Sequence, residues 1–172
     1  VPHIVDLGCG VASSLCFIES QISVTGLGIT ISEKQCILAN HRIKKQDFSE
    51  KLQCIKSDFC KLPKGLQKAD LAFAIESFVH AQSAGAFFHQ ASTLVKPGGH
   101  LIICDDFLAD ENILENKKAK KWIRRFQEGW IINSLFSHEQ INKYASHCGF
   151  KIVERQNLTP YLELNRPRDY II

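Results

Sequence analysis

The sequence predicts an α/β fold, a doubly wound and mostly parallel sheet covered by helices on both faces. Three observations carry that prediction. Short apolar runs of strand length alternate along the chain with longer stretches of helical spacing. The central runs are apolar at nearly every position, as strands buried on both faces must be. A glycine-bearing turn, Gly8-Cys9-Gly10, follows the first run directly, at the point where open α/β sheets bind their ligands.

Taken in order, His3-Leu7 is a buried strand stopped by glycine, and Ala12-Ser20 is a helix. Ile22-Gly28 is the second strand. Ser32 is placed to cap a helix over Glu33-Lys45, with Cys36, Ala39 and Ile43 at core spacing. Leu52-Lys56 and Leu71-Ile75 are strands three and four. A helix from Ser83 to Val95 buries Ala84, Phe87, Phe88, Ala91 and Leu94, and Lys96-Pro97-Gly98-Gly99 stops it. His100-Cys104 is strand five, Glu111-Phe126 a polar helical region, Ser137-His147 a capped helix ended by Gly149, and Phe150-Gln156 a sixth strand.

A chain of 172 residues supports one domain, residues 1–172, with a two- or three-layer core. The net charge of +3 is too mild to argue for nucleic acid. No apolar run approaches the ~20 residues of a membrane span, and no basic-then-apolar leader is present. Cys9, Cys16, Cys36, Cys54, Cys60, Cys104 and Cys148 are scattered, with no C-x-x-C pair. That spacing fits reduced thiols in a cytoplasmic protein and offers no metal site. The chain holds no methionine and its first strand begins at once, so flanking segments are expected to be missing. Homodimerisation is left open.

Asp6 stands before the first glycine of the turn. A carboxylate there would repel a pyrophosphate and suit a cationic ligand; its bland alternative is a strand-end cap for loop N–H groups. V-D-L-G-C-G resembles motif I of the class I S-adenosylmethionine-dependent methyltransferases, with Ala12 where a third glycine is common. The stretch Gly28-Ile29-Thr30-Ile31-Ser32-Glu33-Lys34-Gln35 resembles the G-x-T-x-S-x-x-Q segment of the tocopherol, sterol, sarcosine and cyclopropane-type subgroup. The resemblance implies a Rossmann-like sheet closed by a seventh, antiparallel strand, for which Leu164-Ile172 is too polar and short. It also implies S-adenosyl-L-methionine as cofactor, held by Asp6, Gly8, Cys9 and Gly10, by Thr30, Ile31 and Gln35 on the ribose side, and by Asp58 and Phe59 around the adenine.

Ile75-Glu76-Ser77-Phe78-Val79-His80 resembles the E-S-x-x-H segment of small-molecule methyltransferases, and T-L-V-K-P-G-G-H-L-I-I their approach to strand five. Methyl transfer needs an aligned nucleophile and, for a hydroxyl, removal of its proton. His80 is the candidate base, since histidine ordinarily titrates near ~6.5. Asp105 or Asp106 could orient the imidazole or act as base itself, and Glu76 is the third catalytic candidate. Residues 109–136 fit a substrate cap, including the basic run Lys117-Phe126 with Ala119, Trp122, Ile123, Phe126 and Trp130 on one face; its bland alternative is an amphipathic helix with a solvated basic face.

The expected function is therefore methyl transfer to a small-molecule O, N or C acceptor. A non-catalytic scaffold of the same fold is the first rival. An NAD(P)-dependent reductase is the second, weakened because neither Tyr144 nor Tyr161 nor Tyr170 has a lysine four residues on.

Overall fold

Residues 1–161 are described in a computed structural model of the chain. Five runs rich in β-branched and aliphatic residues form the strands: β1 His3–Leu7, β2 Thr25–Thr30, β3 Leu52–Lys56, β4 Ala69–Ile75 and β5 Val95–Cys104. They make one sheet in the order β3-β2-β1-β4-β5, with every pairing parallel. The winding direction reverses between β1 and β4, so the loop after β1 opens at the switch point.

Strand alternation distributes the core between two layers. Val5, Leu7, Leu27, Ile29, Ala72 and Ala74 face α3 (Ala84–Leu94) and α5 (His138–His147), where Phe78, Phe87 and Phe88 meet edge to face at 4.9 to 5.8 Å. Ile4, Phe73, Leu52 and Cys54 face the other way, against Leu15 of α1 (Ser13–Gln21) and Ala39 and Ile43 of α2 (Glu33–Lys45). The even-numbered positions of β1 share this second face, which is therefore the face of Asp6.

The caps expected from sequence form. Ser32 Oγ accepts from the Gln35 N–H, and Ser137 and Gln140 make a reciprocal capping box. Four elements differ from expectation. Strand five begins at Val95 rather than His100, because Val95 pairs with Ala69 ahead of a register shift, so that Lys96-Pro97-Gly98-Gly99 lies within the strand. The second strand begins at Thr25 rather than Ile22, because the Ile22 N–H closes α1 on the Ile18 carbonyl and the Val24 N–H is taken by the Glu19 carboxylate at 2.6 Å. Burial works to raise the pKa of Glu19, but the Lys51 ammonium at 2.5 Å and the Val24 N–H outweigh it and hold the carboxyl below its usual range.

The helical region expected over 111–126 is two elements, a 3-10 turn Glu111–Glu115 and α4, Lys117–Trp130. Asn116 makes the break, its Oδ1 accepting from the Lys118 and Ala119 N–H groups as the cap of α4. The sixth strand expected over 150–156 does not form. Phe150 packs on Phe88 at 6.4 Å, and the residues that follow are exposed and without a ladder partner among the described residues. The stretch Leu164-Ile172, judged a poor seventh strand, lies outside the described residues. Among them, no helix is long and apolar enough to cross a membrane.

Candidate cofactor and substrate site

In a parallel sheet all strands end at one rim, so the loops at 8–12, 30–35, 57–60, 76–80 and 105–107 gather there. Asp6 lies one residue inside the rim, paired with Gly28 of β2 and Phe73 of β4, and is 3% exposed. Burial pushes its carboxyl up from 3.8 to about 7, and no cation among the described residues offsets this. A buried acid in that position is a latent negative charge, stabilised only when a cation comes within reach.

The turn after Asp6 brings backbone to the rim. The Gly8 and Cys9 N–H groups both donate to the Ile29 carbonyl at 2.9 Å. Gly8 has φ +103, and a Cβ on it would stand 2.3 Å from Ser77 Cβ, so only glycine fits between β1 and the exit of β4. Ser77 completes that joint by donating from Oγ to the Leu7 carbonyl at 2.6 Å. Gly10, by contrast, has φ +52 and open space where a Cβ would stand, so a ligand can approach it from that side. Ala12, in the place of a third glycine, adopts φ +58 and is fully buried.

Cys9 was expected at the cofactor. Its side chain turns away from the rim into the second core layer, with Sγ 3.4 Å from Cys54 Sγ. The thiol is thus packing, and only the Cys9 backbone remains at the turn. Hydrogen bonding to Cys9 and burial together push the Cys54 thiol far up, with the nearby Asp6 charge adding to both.

Thr30 and Gln35 come together as the sequence motif implies. Thr30 Oγ1 donates to Gln35 Oε1 at 2.8 Å and accepts from the Ser32 N–H at 3.3 Å. The Gln35 amide nitrogen is then left to donate outward. Ile31 between them is 69% exposed at the rim, an apolar surface placed where a flat ligand could rest. Across β3, Asp58 Oδ1 closes its own turn by accepting from the Cys60 N–H at 2.7 Å. Phe59 stands edge-on to Phe87 at 5.6 Å, and its ring edge reaches the Gly8 turn.

On the substrate side, Glu76 is exposed at the end of β4 and held at φ +49, its N–H bonded to the Cys104 carbonyl. Positive φ on a non-glycine residue is uncommon and clusters at functional loops. His80 closes the 3-10 turn Phe78–His80. Its Nδ1 lies 3.0 Å from the Ile131 carbonyl. A carbonyl only accepts, so Nδ1 carries the hydrogen and a neutral ring presents a bare Nε2.

Asp105 does not orient that ring. Its Oδ2 accepts from the Val79 N–H at 3.1 Å and its Oδ1 from the Asp106 N–H at 3.0 Å, so it fixes the backbone beneath His80. Burial raises its pKa against those bonds. Asp106 is exposed at the same rim, and neither aspartate bonds the imidazole.

Residues with no role in the sequence reading complete the loop. The Asn133 and Ser134 N–H groups both donate to the Val79 carbonyl, at 2.8 and 2.9 Å. Asn133 Nδ2 donates to the His80 carbonyl, and Ser134 Oγ to that of Ala81. Segment 131–134 is thereby clamped onto the loop that carries His80. A bridge between Leu108 and Ser137 brings the chain back to its departure point, so 109–136 is an excursion with a closed base. The clamp joins residues over fifty positions apart and leaves no local pattern.

The family model described as mycolic acid cyclopropane synthetase matches residues 2–164. An O-methyltransferase of Pyrenophora dematioidea is 28% identical over 162 residues, 92% of this chain and 59% of that protein. The sterol 24-C-methyltransferase of Saccharomyces cerevisiae is 24% identical over 155 residues, 90% of this chain and 40% of that protein. The chain thus spans about half the length of the curated relatives it matches. Among solved structures, a cyclopropane synthase of Mycobacterium tuberculosis superposes with TM-score 0.79 at 18% identity, over 92% of this chain and 58% of that one. The geranyl diphosphate C-methyltransferase of Streptomyces coelicolor, solved with S-adenosyl-L-homocysteine, gives 0.79 at 17%, over 93% and 56%. At these identities the superpositions establish the fold, a Rossmann-like methyltransferase sheet.

Proposed function

Because the chain belongs to the mycolic acid cyclopropane synthetase family, we propose that it binds S-adenosyl-L-methionine at the β1–β2 rim and transfers its methyl group to a small-molecule acceptor. The observation that carries this reading is Asp6, a buried carboxyl raised to about 7 with no cation beside it among the described residues, next to backbone that a ligand can approach at Gly10. A ligand with a positive charge supplies what the site lacks, whereas a pyrophosphate would add a second negative charge. The residues present therefore fit the cofactor.

When bound, the cofactor supplies a methyl group on a sulfonium that needs no further activation. The rest falls to the chain. Asp6 faces the cationic end, and the Gly8, Cys9 and Gly10 backbone admits the ligand closely. Thr30 and Gln35 hold hydroxyls on the ribose side, with the Gln35 amide nitrogen donating. Ile31 lies with them on the ribose side, Phe59 covers the adenine ring, and Asp58 accepts from its amino group through the oxygen left over by the turn. His80 Nε2 takes the acceptor's proton, and Glu76 and Asp106 line the same opening. Residues 109–136, leaving and returning at Leu108 and Ser137, serve as the substrate cap on a core that comprises the whole chain. A cytoplasmic location accords with its seven scattered thiols.

Two variants of His80 test its role in transfer to a screened panel of hydroxylated and amine acceptors. As the base, His80→Ala lowers kcat/KM by about 100-fold, with cofactor affinity unchanged. His80→Asn keeps an amide donor for the Ile131 carbonyl but no base, and is expected to be equally slow. Recovery of the rate in His80→Asn assigns the histidine to positioning instead. Cofactor binding with no transfer to any acceptor favours the non-catalytic scaffold.

A further inference from the structure

We propose that α4 is a peripheral anchor that lays its apolar face into an anionic lipid surface. This goes beyond methyl transfer and does not depend on it. At 100° per residue, Trp122, Phe126, Ala119, Trp130 and Ile123 fall within one arc of α4. Lys117, Lys118, Lys120, Lys121, Arg124 and Arg125 occupy the opposite arc. The single acid, Glu128, is paired with Arg124 at 2.7 Å, so the cationic face is nearly uncompensated.

No residue of α4 is buried. Trp122 is 58% exposed, Phe126 37% and Trp130 61%, and Ile113 and Leu114 of the preceding turn are exposed as well. Arg125 lies over the Trp122 ring at 5.2 Å, joining the basic arc to the aromatic edge. A helix with aromatic residues on one side, lysine and arginine on the other and low overall hydrophobicity belongs in the plane of a membrane interface. The charge selects anionic lipid, since each cation near such a surface adds to binding.

A planar surface also fits better than a polypeptide groove. Ala119, Ile123 and Gln127 are half-buried along one flank of the helix. That flank is closed to a partner that wraps the helix, while the side bearing Trp122 and Phe126 is open. Those cations that flank it, Lys118 and Arg125, would meet headgroups as the rings enter.

The sequence contains two tryptophans, Trp122 and Trp130, so intrinsic fluorescence reports on this face alone. Vesicles of phosphatidylcholine with phosphatidylserine should shift the emission to the blue, reduce acrylamide quenching and float the protein. Partition should be at least about tenfold weaker to phosphatidylcholine alone and reversed by added salt. The triple variant Lys118→Glu, Lys121→Glu, Arg125→Glu, all at exposed positions, should keep its melting temperature and lose the vesicle response. Unchanged emission without flotation overturns the proposal, as does retained binding by the triple variant. So does emission already blue and shielded without vesicles, which means that protein covers the face. Protection by soluble polyglutamate but not by vesicles assigns the face to an acidic polypeptide and likewise overturns it.

Discussion

Replacing Asp6 with asparagine stabilises the ligand-free protein at pH 8 and at the same time weakens S-adenosylmethionine binding by about 100-fold. The two effects share one cause. Asp6 titrates at about 7 in the fold against 3.8 ordinarily, because burial penalises its charge. Between those values the folded chain keeps a proton that the unfolded chain has lost. Stability is therefore full below about pH 4 and falls as pH rises through 7, by about 4 kcal/mol over the window. Asparagine never ionises, so denaturation curves of the variant should be flatter with pH and about 1 to 4 kcal/mol higher at pH 8. Binding runs the other way. A cationic ligand needs the ionised carboxyl, so wild-type affinity should weaken about tenfold for each pH unit below 7, and the variant should lack this dependence. A variant less stable than wild type at pH 8, with the same affinity, would mean that Asp6 is a structural strand-end cap.

The second large effect is at Gly8. Gly8→Ala places a methyl 2.3 Å from Ser77 Cβ on a backbone at φ +103, two separate violations in one residue. The expected cost is about 3 kcal/mol or more, a fall in melting temperature of about 10 °C for a chain of this size, with loss of cofactor binding. Gly10→Ala is the internal control. It carries positive φ but meets nothing within 4 Å, so it should cost only about 1 kcal/mol. Pairing Gly8→Ala with Ser77→Gly removes the clash but not the strain. The double variant should recover part of the stability, a coupling that a thermodynamic cycle measures directly. Equal costs at Gly8 and Gly10 would show that backbone conformation alone decides.

What sequence made legible was what local chemistry decides. Helix α2 and strand β3 lie where periodicity placed them, because Ser32 caps its own third residue and Leu52–Lys56 is apolar on the faces that need it. Thr30 and Gln35, both set on the ribose side by the motif, also bond one another across the turn into α2. Distant partners decided the rest. Strand β2 starts late because Glu19, on the preceding helix, takes the Val24 N–H. The pattern Phe150-Lys151-Ile152-Val153 has strand character, but a strand exists only as part of a ladder, and Phe150 is instead drawn onto Phe88. The motif that places Cys9 at the cofactor turn says nothing of its thiol, which lies against Cys54, forty-five residues on. Asp105 likewise looked like a partner for His80 until the backbone N–H of Val79 proved to be its nearer claim.

Calorimetric titration with S-adenosylmethionine and with NADPH, on the wild type and on Asp6→Asn at pH 8, tests the central claim most directly. The account predicts one-to-one binding of S-adenosylmethionine by the wild type, binding about 100-fold weaker by the variant, and no heat with NADPH. Heat with NADPH alone, or equal affinity of both proteins for S-adenosylmethionine, would contradict it.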